Sequence, residues 1–485
     1  MKKSILMTFS AVLALAILLS SCGGGAGGGQ GDSTTAAGTT TAPVETSVID
    51  TLPSADYGGA KFRILGEQMR DYYFVEELNG EIINDAVFDR NSLVSELYNT
   101  VIEFNIVNWQ KGSGVITEQT LAGASDYELY ATTHLYLGSN VTSGCFTNWL
   151  DVTGVNLDKP WYVAAANECY SIGRDTLLLF GDFMESNVRN CYTIVYNKKQ
   201  AENYGIDGLY ELIDSGGWTV DYFLSIIKDI YTDTNGDGVR DQSDFYGFAT
   251  DVEGAFDSFS RSFGLSAISK DKDNYPVLDF YNEKTVAAYE KLYQLFWDNV
   301  GTFPIGSAFG HITTMFTPGT SVFANMMIIS IQSDEMRGME DDYGILPYFK
   351  FEESQEKYYT YLDGTFSAQT CPITQPADKL EMIGHVTEAL NALSSELVMP
   401  AMYDVALKVK IARDEDSVRM LDYVLEGRAY SFDSFDESGF PFSPNRAIRQ
   451  LLKKKSIDIS SYYEANSATA QAWIDKMIDS YNAAK

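Results

Sequence analysis

Between residues 62 and 397 the chain alternates short strand-like runs with longer helix-like ones, and this alternation limits the fold more than any other feature. The runs 62–65, 102–107, 127–132, 192–196, 245–249, 321–329 and 343–346 read as strands. Segments 85–98, 219–231, 285–297 and 382–397 instead repeat apolar residues at helical spacing, as Val87, Val94, Leu97 and Tyr98 do. Thr219 stands where a helix cap belongs, with Asp221 in the first turn. Strand–helix alternation of this kind predicts an α/β protein with mainly parallel sheets flanked by helices. No repeat of fixed period is visible, which argues against a structural or adhesive surface protein.

The first residues set the compartment. Lys2 and Lys3 precede the apolar run 5–19, which has the length of a secretory h-region and is too short to span a bilayer comfortably. The run ends in Leu19-Ser20-Ser21-Cys22, which resembles the lipobox of bacterial lipoproteins. The resemblance implies a signal peptide, residues 1–21, cleaved to leave Cys22 as the lipidated N-terminus. Residues 22–55 then form the acylated cysteine and a flexible Gly/Thr-rich tether, with too few large apolar side chains to fold. No later apolar run is long enough to cross a membrane. The expected location is the extracellular face of the cytoplasmic membrane, held through the lipid anchor only.

After the tether about 430 residues remain, room for two domains of ordinary size. A content of 45% hydrophobic and 13% aromatic residues supplies their cores. The formal net charge of −32 repels nucleic acid and anionic lipid, so neither is expected as a partner. Cys145, Cys169, Cys191 and Cys371 match no zinc spacing. An exported protein permits disulfides, but a body of this size does not need them, and free buried cysteines are the expectation.

Several segments, taken in order, carry a resemblance. Asn84-Asp85-Ala86-Val87-Phe88-Asp89-Arg90-Asn91 comes first, then Lys159-Pro160-Trp161-Tyr162 with Ala166-Asn167-Glu168. Gly181-Asp182-Phe183, Val195-Tyr196-Asn197-Lys198-Lys199 and Gly217-Trp218-Thr219 follow. Gly344-Ile345-Leu346-Pro347-Tyr348 and the run from Lys410 to Ser417 continue the series. Together these resemble the extracellular solute-binding proteins of ABC importers, the group that includes the maltodextrin binders, in a branch common in anaerobic Gram-positive bacteria. Each motif alone is weak, and their order behind a lipobox is what carries weight.

The resemblance implies a two-lobed, periplasmic-binding-protein-like fold of type II, with mixed sheets flanked by helices and a hinge between the lobes. Lobe 1 would combine residues 56–180 with about 366–420, and lobe 2 residues 181–362 with about 421–485. The implied function is capture of a carbohydrate, an oligosaccharide, by hinge closure, with delivery to ABC permease subunits. A monomer without catalytic activity is expected. Two other readings stay open: a binder of peptides or another small organic solute, and a secreted glycoside-acting enzyme. HExxH, GxSxG, kinase and P-loop signatures are all absent.

The loop 233–244 has chemistry of its own. Asp233, Asn235, Asp237, Asp241 and Asp244 occupy positions 1, 3, 5, 9 and 12 of an EF-hand-like loop. Gly238 sits at the sharp turn and Val239 offers its carbonyl at position 7. The pattern predicts structural calcium at a helix-to-strand joint. Asp244 in place of the usual glutamate puts bidentate reach in doubt, and an Asn/Asp/Gly turn without metal is the alternative.

Ligands of open α/β sheets bind beyond the carboxyl ends of strands, which selects Glu67 after the first strand and Thr133 and His134 after the third. The family resemblance adds Arg189 and Asn190, then Phe323 with Asn325, and Asp363 with Phe366 near the second crossing between lobes. With 31 Tyr, 27 Phe and 6 Trp, an aromatic residue alone identifies nothing.

Overall fold

The structure is a computed structural model that describes residues 47–68, 74–306, 311–403, 413–434, 439–444 and 446–484. The expected signal peptide, Cys22 and most of the tether lie outside the described residues. In chain order the strands are β1 (Ala60–Glu67), β2 (Thr100–Val107), β3 (Leu129–Thr133), β4 (Phe146–Thr147), β5 (Tyr192–Asn197), β6 (Tyr231–Thr232) and β7 (Phe245–Asp251). There follow β8 (Ile268–Lys270), β9 (Pro276–Leu278), β10 (Thr302–Ile305), β11 (Ser321–Met327), β12 (Tyr343–Leu346), β13 (Thr360–Tyr361), β14 (Ser367–Pro372) and β15 (Arg428–Ala429).

Two sheets head the two lobes. The first is ordered β2-β1-β3-β14-β4 and the second β10-β7-β11-β5-β12, with β6 against β7. β1 runs parallel to β2 and β3, and β7 runs parallel to β10 and β11. β14 joins β3 antiparallel, and β5 joins both β11 and β12 antiparallel. The sheets are therefore mixed, where alternation alone predicts mainly parallel ones. Chain path explains the difference. β5 and β14 each arrive from the other lobe, so no strand–helix–strand crossover within one sheet dictates their direction.

Helices Ile82–Tyr98 and Leu380–Leu393 cover one face of the first sheet, burying Phe62, Ile64, Val94, Tyr98, Ile383 and Leu390. Each such side chain contributes about 1.5–3 kcal/mol by leaving water. The first of these helices stops at Asn99, whose left-handed backbone (φ 48°) turns its N–H back to Ser95 and Glu96 carbonyls. The first described residues are fastened to this same lobe, where Val48 N donates to Glu396 Oε2 at 2.9 Å.

The chain stays with the first sheet through Leu179, which bridges Gln369 of β14, and through Phe183 and Met184, which join its core. It reaches the second sheet beyond Asn190, later than the expected 180/181 boundary. There the Asn190 carbonyl accepts from Asp363 N at 3.0 Å, and Cys191 bridges Leu362. β13 pairs in parallel with β15, so three stretches of chain lie close together between the lobes. Gly364, in one of them, has no left-handed backbone. A Cβ there would stand 3.2 Å from Leu135 Cδ1, a tight contact with the end of a flexible side chain. By Glu415–Glu426 the chain is already on the second sheet, where Ser417 Oγ accepts from Ile345 N of β12.

Cys145, Cys169, Cys191 and Cys371 are all free thiols, and all but Cys169 are buried. Among the described residues no helix is long and apolar enough to cross a membrane.

Candidate functional site

Beside the crossing stretches the two lobes line a partly open cavity of about 140 Å³. The first lobe supplies Trp109, just past the end of β2, and Leu135 and Tyr136, just past the end of β3. The rings of Trp109 and Tyr136 stand 5.7 Å apart at a 46° tilt. From the second lobe come Asp257, on helix Gly254–Ser262 after β7, and Arg449, on helix Ile448–Lys453. Tyr361, Asp363 and Thr365 of the crossing, with Ser434 and Ser443, complete the polar wall.

Charge in the wall is organised around Arg449. Its Nε donates to Asp257 Oδ1 at 3.0 Å, its Nη2 to Asp257 Oδ2, and its Nη1 to Glu253 Oε2 at 2.7 Å. Glu253 also takes the Lys453 ammonium. Burial pushes the Asp257 carboxyl up, and the guanidinium opposes it. Asp363 Oδ1 accepts from Thr365 N at 3.0 Å and from Thr365 Oγ1 at 2.5 Å. Aromatic faces beside carboxylates and hydroxyls are the surfaces that stack on pyranose rings and bond their hydroxyls.

Of the residues expected from sequence, Asp363 lines this cavity, and Asn190 supports it by donating from Nδ2 to Thr365 Oγ1 at 3.3 Å. Glu67 and Thr133 are brought together in the interior. Glu67 Oε2 accepts from Thr133 N at 2.8 Å and from its hydroxyl at 2.5 Å, clasping the ends of β1 and β3. Gly112 rides so close to Glu67 that a Cβ would fall 2.3 Å from Oε1.

His134 and Phe366 also meet, behind the wall rather than in it. Their rings are 4.0 Å apart, next to Tyr170 and Phe180, and the His134 Nδ1 faces the Phe366 carbonyl at 3.2 Å. Burial pulls the imidazole down to about 4, against the pull of that carbonyl, so it sits neutral. Arg189 pairs with Glu185 at 3.0 Å and reaches Gln332. Phe323 is wholly buried among Trp218, Phe223 and Tyr196, and Asn325 is buried on the same strand, close to the Tyr348 hydroxyl.

Trp109, Tyr136, Asp257 and Arg449 were not among the expected site residues. The first two follow strand ends and were open to the same rule that selected Glu67. Asp257 and Arg449 are 192 positions apart, and no local pattern links them.

The loop 233–244 joins β6 to β7. Gly236 and Gly238 take left-handed backbone (φ 73° and 69°), the sharp turn that such a loop requires. Asp233 accepts from Gly236 N at 2.7 Å and Gly238 N at 2.9 Å, and Asp237 from Val239 N at 2.7 Å. Asp241 accepts from Ser243 N at 2.8 Å, Asn235 donates to Asp237 Oδ2, and buried Asp244 accepts from Thr234 N and Tyr231 Oη. Arg240 Nη2 ties the loop to the Val300 carbonyl at 2.7 Å, at the start of the β10 edge. The turn geometry and the oxygen donors suit a hard cation. Among the described residues, however, no three acidic, histidine or cysteine side chains have converged on one point.

The chain matches no family model and no curated protein. Its fold is shared with solved ABC-transporter solute-binding proteins. One is the galacto-N-biose-/lacto-N-biose I-binding protein of Bifidobacterium longum with lacto-N-biose, at 11% identity and TM-score 0.58, covering 87% of this chain and 98% of that one. Another, from Agrobacterium radiobacter K84 with ribitol, has 12% identity and TM-score 0.54, with 86% and 100% covered. The fold also matches that of UspC of M. tuberculosis, at 13% identity and TM-score 0.54, with 85% and 100% covered. At such identities the likeness establishes the two-lobed fold.

Proposed function

We propose that this chain is an exported, lipid-anchored solute-binding protein that captures a saccharide between its lobes and delivers it to an ABC permease. The observation that carries the reading is the interlobe cavity, whose lining brings Trp109 and Tyr136 together with Asp257, Asp363 and hydroxyl groups. The names of the structural relatives support it, since they include binders of lacto-N-biose and ribitol. Anchoring rests on Cys22 and the sequence around it. Calcium in the loop 233–244 belongs to the same reading as a structural ion, with Asp233, Asn235, Asp237, Asp241, Asp244 and the Val239 carbonyl as its ligands.

A thermal-shift and calorimetric screen over saccharides, sugar alcohols and short peptides tests the function. The expected outcome is a stability gain with a subset of the saccharides, each recovered intact. A gain with peptides alone, or cleavage of the sugar, refutes the reading. Mass spectrometry of the membrane-extracted protein tests the anchor, with a diacylglyceryl group on Cys22 as the expected mass.

A further inference from the structure

We infer that the cavity selects the sign of its ligand's charge, and that Asp363 is the residue that sets it by admitting hydroxyl donors and rejecting carboxylated sugars. This rests on the saccharide reading above.

Asp363 is 7% exposed and lines the cavity. Both hydrogen bonds to its carboxylate fall on Oδ1, from Thr365. Oδ2 accepts from none of the described residues, and no described lysine, arginine or histidine forms an ion pair with Asp363. A carboxylate oxygen in the cavity wall with no protein donor of its own can accept from a ligand, and a sugar hydroxyl is such a donor.

The cation in the described lining is Arg449, and its guanidinium is already taken up. Two of its nitrogens fork onto Asp257 and the third reaches Glu253. A uronate entering here would leave water beside an unpaired carboxylate and find its potential partner neutralised. A neutral sugar brings hydroxyls that can donate to the Asp363 carboxylate and exchange hydrogen bonds with the hydroxyl groups of the wall. The aromatic pair Trp109 and Tyr136 is indifferent to charge on the far side of the ring, so discrimination falls to Asp363.

Calorimetry with matched sugars tests this. The probes are glucose and glucuronate, galactose and galacturonate, and their β-linked disaccharides, which within each pair differ only in the C6 group. For each pair whose neutral member binds, the uronate should bind at least about tenfold more weakly, the effect of ~1.4 kcal/mol of repulsion. Asp363→Asn keeps an Oδ1 for Thr365 and should bring the pair to within about threefold. A uronate that the unaltered protein binds within about tenfold of its neutral twin overturns the inference, as does a gap that persists in folded Asp363→Asn. Should the variant not fold, the comparison in the unaltered protein decides alone. Silence from every saccharide refutes the saccharide reading itself, and the inference falls with it.

Discussion

Trp109 and Tyr136 are half-exposed, unlike the buried aromatic cluster around Phe223, Phe323 and Phe349. Replacing Trp109 by Ala should therefore weaken saccharide binding by about 0.5–1.5 kcal/mol, the worth of one stacked aromatic face, while the melting temperature stays nearly constant. Calorimetry and thermal unfolding of the same sample separate the two effects. His134 works in the opposite sense, on stability. Its unfolded imidazole takes a proton near the ordinary 6.5, whereas the folded one refuses it until about 4. The unfolded chain thus binds more protons between these values, and stability falls as pH drops through them. The cost approaches about 3 kcal/mol at the acid end. Urea titrations from neutral pH to about 4 should show this extra loss in the unaltered protein and not in His134→Gln. At this scale the strand-end rule points to the loops beside the cavity, while the side chains that line it differ from those it selects. Glu67 and Thr133 end their strands and turn into the sheet interior, while the cavity is reached by residues two or three positions farther on, as Trp109 and Tyr136 are.

Secondary structure elements were the most legible level, and for a physical reason. The strand at Tyr343–Leu346 and the helix after Thr219 carry their own signals, a short apolar run with Tyr343 and Ile345 in one and a hydroxyl cap in the other, where Thr219 Oγ1 accepts from Tyr222 N. β14 carries none. Its sequence, Ser-Ala-Gln-Thr-Cys-Pro, is fully buried yet small and polar, and Gln369 is held by Asn391 through reciprocal amide bonds. Burial through hydrogen bonds leaves no hydrophobic period to read. The loop between β6 and β7 is the element whose stability is most open to test. With calcium bound, chelation should lower the melting temperature by a few degrees, and Asp233→Ala should do the same while abolishing the response to chelator. Equal melting curves with and without chelator would remove the ion from the account.

At the scale of the whole molecule, the alternation of elements predicted the layers but not the mixed sheets, because direction depends on which lobe a strand arrives from. The path across β13, β15 and the Cys191–Leu362 bridge joins the two lobes along a shared seam. Closure on a ligand should then reduce the radius of gyration in solution scattering, and a saccharide that binds without compaction would argue for a rigid cleft. One further consequence follows from Val48, whose amide is fixed to Glu396 on the first lobe. Any support holding the chain from upstream of Val48 grips that lobe, which becomes the stator. Were the lobes to close on a ligand, the lobe of β5, β7 and β11 would be the rotor, and the position of its outer face relative to the support would report whether cargo is aboard.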